Sequence, residues 1–213
     1  MKLLYNMKIS YVLLAVVLFT SCAKEKSERE EKDQQTAKAI AQPASVATDE
    51  DPIPAGAFQE TFEDTPGLVR LSVKDVTGAI SQQGNYLNGK RDGIWSEFNT
   101  NGLLKTATSY VNGKKEGLFV ELNPSGQMIK RFFYHNGMRH GEYKEFNYSS
   151  LKEERNYVNG KLEGIVKIYY DGAKIMEEGA YQNGLREGIS KWYDQNGNVT
   201  ITYEYKKGEL IKK

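Results

Sequence analysis

Hydrophobic and polar positions follow three successive patterns along the 213 residues. A mostly apolar run occupies residues 9–19, a polar and charged stretch follows over residues 23–66, and from about residue 68 apolar and polar residues alternate in short runs. Alternation with a period of two, in runs such as 94–99 and 103–111 that are rich in aromatic and β-branched side chains, predicts half-buried strands. Between the runs lie turn dipeptides. One set reads Asn88-Gly89, Asn112-Gly113, Asn136-Gly137, Asn159-Gly160, Asn183-Gly184 and Lys207-Gly208. The second reads Asn101-Gly102, Ser125-Gly126, Ser149-Ser150, Asp171-Gly172 and Asn196-Gly197. Asn-Gly between alternating runs signals a hairpin with a type I′ turn, because both central residues must take positive φ. The expected product is an all-β antiparallel meander with two strands per unit.

The unit repeats. Tyrosines at 86, 110, 134, 157, 181 and 205 stand 24, 24, 23, 24 and 24 residues apart, each two residues before a first-set turn. A fixed period of this length marks a repeat array of about six copies. A further glycine follows each first turn at Gly93, Gly117, Gly141, Gly164 and Gly188; it predicts a bulge, a positive φ or a close backbone approach where the next strand begins. Trp95, Phe119 and Tyr143 share one offset, and Phe98, Leu122, Phe146, Tyr169 and Tyr193 share another. Stacked repeats turn such offsets into ladders of cross-strand neighbours. Residues 67–84 read as a worn half-repeat that caps the array. Lys206, Lys207, Lys212 and Lys213 guard the far edge against sheet-to-sheet pairing.

The pattern Tyr-x-Asn-Gly-x-x-x-Gly-x-aromatic-x-x-aromatic over about residues 78–210 resembles the MORN repeat, in the bacterial variant of the YwqK-type antitoxin family. The resemblance implies an elongated, twisted, mostly single-layer sheet of stacked hairpins. It also implies binding to membrane lipid or protein, and it brings no catalytic residues.

Residues 1–22 read as an address. The apolar run is long enough for a signal-peptide core and far short of the ~20 residues that span a bilayer. Leu18-Phe19-Thr20-Ser21-Cys22 resembles a bacterial lipobox, which implies cleavage after residue 21 and diacylation of Cys22. As the sole cysteine it has no intramolecular disulfide partner, and two or more acyl chains hold where one is marginal. Met7-Lys8 directly before the run offers an alternative start of translation. Residues 1–21 thus read as signal peptide, 22–66 as a lipid-anchored disordered linker and 67–213 as the repeat domain. The linker composition buries too little apolar surface to fold, and its span is on the order of 35 to 40 Å. Ala23 after the cysteine fits an outer-membrane address, and the Lys/Glu-rich start resembles the export tags of surface lipoproteins in Bacteroidetes-like bacteria; a plain solvated spacer reads equally well.

Charge separates the two parts. Residues 23–66 hold 5 basic and 11 acidic residues, net −6, whereas residues 78–213 hold 20 basic and 16 acidic, net +4. The basic residues are interspersed, without the cluster of about 4 to 8 Lys/Arg that reads as an anionic-lipid surface. Export removes nucleic acid as a partner. His135 and His140 are the only histidines and come with no cysteine, so neither a metal site nor a cofactor is expected. Glu153-Glu154 and Glu177-Glu178 are adjacent pairs whose members a strand points to opposite faces; they read as solvated charges, and no enzymatic constellation is present. The expected function is a scaffold for a protein partner, in its sharpest form an antitoxin or immunity factor. The alternative is binding of envelope lipids or glycans through aromatic rows. Trp95, Phe119, Tyr143 and Trp192 are the candidate binding surface, Trp95 and Trp192 because they depart from the repeat's average.

Overall fold

The computed structural model describes residues 52–212, so the expectations for the signal segment and for Cys22 lie outside the described residues. The described residues form one 15-stranded antiparallel sheet in chain order. The strands are β1 (Phe58–Thr61), β2 (Leu68–Lys74), β3 (Ile80–Leu87), β4 (Lys90–Phe98), β5 (Leu104–Val111), β6 (Lys114–Leu122), β7 (Met128–His135), β8 (Met138–Asn147), β9 (Ser150–Val158), β10 (Lys161–Leu162), β11 (Gly164–Tyr169), β12 (Ile175–Gln182), β13 (Leu185–Tyr193), β14 (Val199–Lys206) and β15 (Glu209–Lys212). Both β10 and β11 pair with β9 and are halves of one strand interrupted at Glu163, whose N–H donates to the Asn156 carbonyl at 2.9 Å.

Two kinds of hairpin alternate. The first kind has two central residues of positive φ, such as Asn88 at 52° and Gly89 at 78°, which is the geometry the Asn-Gly set demands. The second kind is longer. In the β4–β5 loop the Gly102 N–H donates to the Asn99 carbonyl and the Asn99 N–H to the Leu103 carbonyl, both at 2.8 Å. Positive φ falls on the glycine alone at Gly102, Gly126 and Gly197, so these three are not the type I′ turns expected, and the other two second turns differ again. At the 23-residue repeat the loop has lost a residue, and positive φ falls on Tyr148 and Ser149 instead of Ser149-Ser150. In the next repeat it falls on Gly172 and Ala173 instead of on Asp171.

In four repeats the recurring glycine sits inside its strand, at Gly93, Gly117, Gly141 and Gly188, whereas Gly164 opens β11. Between the pairs Gln83↔Ser96 and Asn85↔Asp92, the single residue Gly84 on β3 faces three on β4, residues 93–95. Gly93 takes φ 77° at this bulge. The strand begins at Lys90, directly after the turn. A one-residue bulge near each second turn completes the unit, as where Glu97↔Thr106 is followed by Phe98↔Leu104.

The boundary drawn at residue 67 moves toward the amino terminus. Strand β1 pairs with β2 through Phe58↔Ser72 and its neighbours. The Tyr86 hydroxyl donates to the Pro52 carbonyl at 3.3 Å, and Ala57 packs against the cluster of Leu71, Tyr86, Trp95 and Tyr110. Residues 52–66, expected within a disordered linker, therefore join the array, because its first repeat has no preceding strand pair to cover its rings.

The bulges keep the same residue columns on the same face in every repeat. One face, termed the ladder face, holds Tyr86, Tyr110, Tyr157 and Tyr181, all buried. Opposite members of its cross-strand pairs fit one another's space. Trp95 lies across Gly84, where a Cβ would meet the indole at 2.1 Å; Phe132 and Tyr143 stack at 5.5 Å; Gly179 is paired with Ser190. That last small pair leaves room for Arg186, which donates to Ser190 Oγ at 3.1 Å and to Glu177 Oε1 at 2.6 Å. Its guanidinium also lies 5.4 Å from the Tyr181 ring centroid and 5.5 Å from that of Trp192. Rings and guanidinium planes thus bury one another on one side of a sheet. Burial pushes the Tyr181 hydroxyl up to about 12.

Candidate interaction surface

The four aromatics expected as a binding surface belong to the ladder face. Trp95 is 4 % exposed and Tyr143 5 %. Phe119 stacks on Phe132 at 4.5 Å, and Trp192 meets Tyr203 edge-on at 5.3 Å. Departure from the repeat average at Trp95 and Trp192 reflects packing: one fills the space over a glycine, the other lies beside Arg186. The adjacent acids do point to opposite faces, but half of them are not solvated. Glu153 and Glu177 are buried on the ladder face with Arg155 and Arg186. Glu154 and Glu178 accept the hydroxyls of Tyr169 at 2.5 Å and Tyr193 at 2.6 Å on the other face. The Glu178 contact raises the Tyr193 hydroxyl to about 12.

The opposite face, termed the open face, carries the exposed apolar residues. Immediately beyond the bulge glycines stand Ile94 (62 % exposed), Leu118 (41 %), Ile165 and Ile189, with Glu142 in the middle repeat. Leu118 pairs with Phe133, also exposed. In the adjacent row, Ser96, Ala107 and Val120 follow one another through the pairs Ser96↔Ala107 and Ala107↔Val120. Over β4–β7 these two rows bring Ile94, Ala107, Leu118, Val120 and Phe133 together. Alternation alone explains why one face of each strand is apolar; only the bulge register explains why these five share a patch.

From β7 onward the same inner row turns charged, and from Lys144 it alternates in sign. Arg131↔Lys144↔Glu154↔Lys167↔Glu178↔Lys191 are successive cross-strand partners. Their charges are largely met within the face. Arg131 reaches Glu142 at 2.9 Å, and Lys144 reaches Glu142 at 2.7 Å and Glu154 at 3.3 Å. Glu142 and Glu154 hold the Lys144 ammonium above its ordinary value, the Glu142 hydrogen bond most of all.

A second set of functional side chains was missed in the sequence. The residue before each bulge glycine latches the next repeat: Asp92, Glu116, Glu163 and Glu187 accept the N–H of Asn112, Asn136, Asn183 and Lys207 at 3.2, 2.8, 2.9 and 2.7 Å. In the remaining repeat His140 Nδ1 accepts from the Asn159 N–H at 3.4 Å. His135 bonds Glu116 at 2.9 Å. Backbone donation from Asn136, then the His135 contact, holds the Glu116 carboxyl below its ordinary value. The available signal was an acid at fixed spacing before Gly93, Gly117, Gly164 and Gly188. Among the described residues no cluster of three or more His, Cys, Asp or Glu could hold a metal, and no helix is long and apolar enough to cross a membrane.

The curated proteins include no match to this chain. Among solved structures, TarM of S. aureus is 12% identical over 70% of this chain and 22% of its own length, at TM-score 0.28. Accessory secretory protein 1,2 and 3 of Streptococcus pneumoniae is 11% identical over 62% of this chain and 24% of its own, at 0.28. The GtfA/B complex bound to UDP and GlcNAc is 11% identical over 69% and 36%, at 0.28. The chain spans well under half of each, and likeness at this level says nothing of activity. A family match does fall inside the array. Residues 186–207, which run from the arginine after one Asn-Gly turn to the lysine of the next turn, are a MORN repeat variant.

Proposed function

We propose that this chain is a lipid-anchored repeat scaffold of the cell envelope that docks a protein partner on the open face of β4–β7. The observation that carries the reading is the chemistry of that face. It presents an uncharged patch of Ile94, Ala107, Leu118, Val120 and Phe133, bordered by charges already neutralised within the sheet. Contiguous exposed apolar surface marks interaction sites, and interfaces carry a charge-depleted core inside a polar rim. An anionic membrane would select clustered lysine and arginine instead, and the lysines here alternate with glutamates. The anchor is argued from the residues around Cys22.

The test is in-cell photo-crosslinking from position 118 in the full-length chain, with crosslinked protein identified by mass spectrometry. A defined adduct is expected, lost on Phe133→Asp and kept on Ile189→Asp; truncating a central contact costs on the order of 1 kcal/mol or more of binding. Crosslinks only to lipid, or co-sedimentation of the Cys22→Ala chain with envelope vesicles or peptidoglycan, would favour the lipid or glycan reading. The antitoxin form adds that the partner is toxic and that deleting this chain is harmful. Cys22→Ala should release the protein from the membrane fraction, and protease shaving of intact cells separates a surface position from a periplasmic one.

A further inference from the structure

Seven Asn-Gly dipeptides make this chain chemically vulnerable. An unhindered glycine nitrogen attacks the preceding asparagine Cγ: an N–C bond forms, the amide leaves as ammonia carrying the nitrogen's proton, and water opens the resulting succinimide to aspartate or isoaspartate. No oxidant or reductant is needed. The step does require the glycine N–H to be free of other partners.

In four first turns it is held by the preceding repeat. The N–H groups of Gly113, Gly137, Gly160 and Gly184 donate to the carbonyls of Arg91, Lys115, Arg139 and Leu162 at 2.8 to 2.9 Å. All four glycines are half-buried. In the second turns, Gly102 and Gly197 donate to Asn99 and Asp194 at 2.8 and 3.0 Å. The Asn101 amide is also tied at both ends, donating to the Pro124 carbonyl at 2.8 Å and accepting the Leu103 N–H at 3.1 Å.

Gly89 differs. The carbonyl that stands where Arg91 stands for Gly113 belongs to Gly67, and it accepts the Asn88 N–H at 2.9 Å instead. Gly89 is exposed, nothing lies within 4 Å of where its Cβ would be, and among the described residues its N–H has no acceptor. We propose that Asn88 is the intrinsic deamidation site of this protein, selected among seven Asn-Gly dipeptides because no preceding repeat covers its turn. The consequence is structural as well as chemical. Isoaspartate lengthens the backbone by a methylene, which a type I′ turn with Asn88 at φ 52° does not accommodate. The Asn88–Gly67 bond that ties the β1–β2 end to the array would be lost with it.

The test is peptide mapping of the full chain held in mildly alkaline buffer at physiological temperature, with isoaspartate read by methyltransferase labelling. Asn88 should convert about two- to tenfold faster than Asn112, Asn136, Asn159 and Asn183, the factor that one backbone hydrogen bond confers. It should also precede Asn101 and Asn196. Conversion of any of these six as fast as Asn88 overturns the proposal. Hydrogen exchange supplies the independent readout: the Gly89 amide should exchange before those of Gly113, Gly137, Gly160 and Gly184, and equal protection would overturn it too.

Discussion

Lys207 shows at residue scale how strictly the first turn selects its occupant. It holds φ 50° where every other copy has asparagine at 50° to 52°, and asparagine is the side chain that tolerates this region best after glycine. Lys207→Asn should therefore raise stability by about 0.5–1 kcal/mol, given the roughly 1–2 kcal/mol an ordinary residue loses there. Urea unfolding checks it; a lower midpoint for the variant would contradict the account. Gly84 is constrained for a different reason. Its φ is ordinary, but the Trp95 ring occupies its missing side chain. Gly84→Ala should cost about 1–3 kcal/mol through overpacking and shift Trp95 emission, whereas Gly84→Ala combined with Trp95→Leu should recover most of the loss. A single sequence shows Gly84 only as a glycine outside the turn pattern. Its partner lies 11 residues away across a bulge, so the cause was not legible there.

At the scale of elements, four first-turn hairpins are closed by an acid from the hairpin before them. Glu116 and Asn136 are 20 residues apart, joined only because the bulge at Gly117 swings the preceding side chain toward the next turn. The Glu116 carboxyl titrates below its ordinary 4.5 because the Asn136 N–H and His135 favour the charged form. A depressed folded value means that the latch contributes fully above about pH 4.5 and is lost as pH falls through the lower folded value. The Asn136 amide proton should accordingly follow an acid titration with its midpoint below 4.5 in NMR spectra. Glu116→Gln should abolish that titration while leaving the Asn183 amide, latched by Glu163, unaffected. Strand positions and the I′ turns were legible because they rest on local φ preferences and period-two alternation. The latches were not, because a lone acid before a glycine is indistinguishable from a solvated charge until the register is known.

The array of described residues is a line of neighbours. Each strand pairs only with its immediate neighbours, apart from β9, which takes both β10 and β11, so stability is close to a sum of repeat and interface contributions. Trp95 sits in β4 and Trp192 in β13, which makes the pair natural reporters of the two ends. Urea unfolding followed in Trp95→Phe and Trp192→Phe variants should give different midpoints, with the Trp192 end lower because its ring is less buried and its edge is closed only by β14 and β15. Coincident midpoints would mean that the array unfolds as a single unit.

By itself the sequence determined the period, the strands, the turn type and the antiparallel meander, because each is set within a few residues by φ preference and alternation. It also carried the argument for a lipid anchor at Cys22, which rests on local residue order. Only the tertiary structure decided which face is buried and which is open. Alternation places residues on two faces without naming the covered one, and Trp95, Phe119, Tyr143 and Trp192, expected as a binding surface, pack into the ladder of tyrosines, arginines and glycines. The aliphatic row beyond each bulge is left outside that ladder, since Ile94 and Leu118 alternate with the ladder residues Trp95 and Phe119 and so stand on the open side.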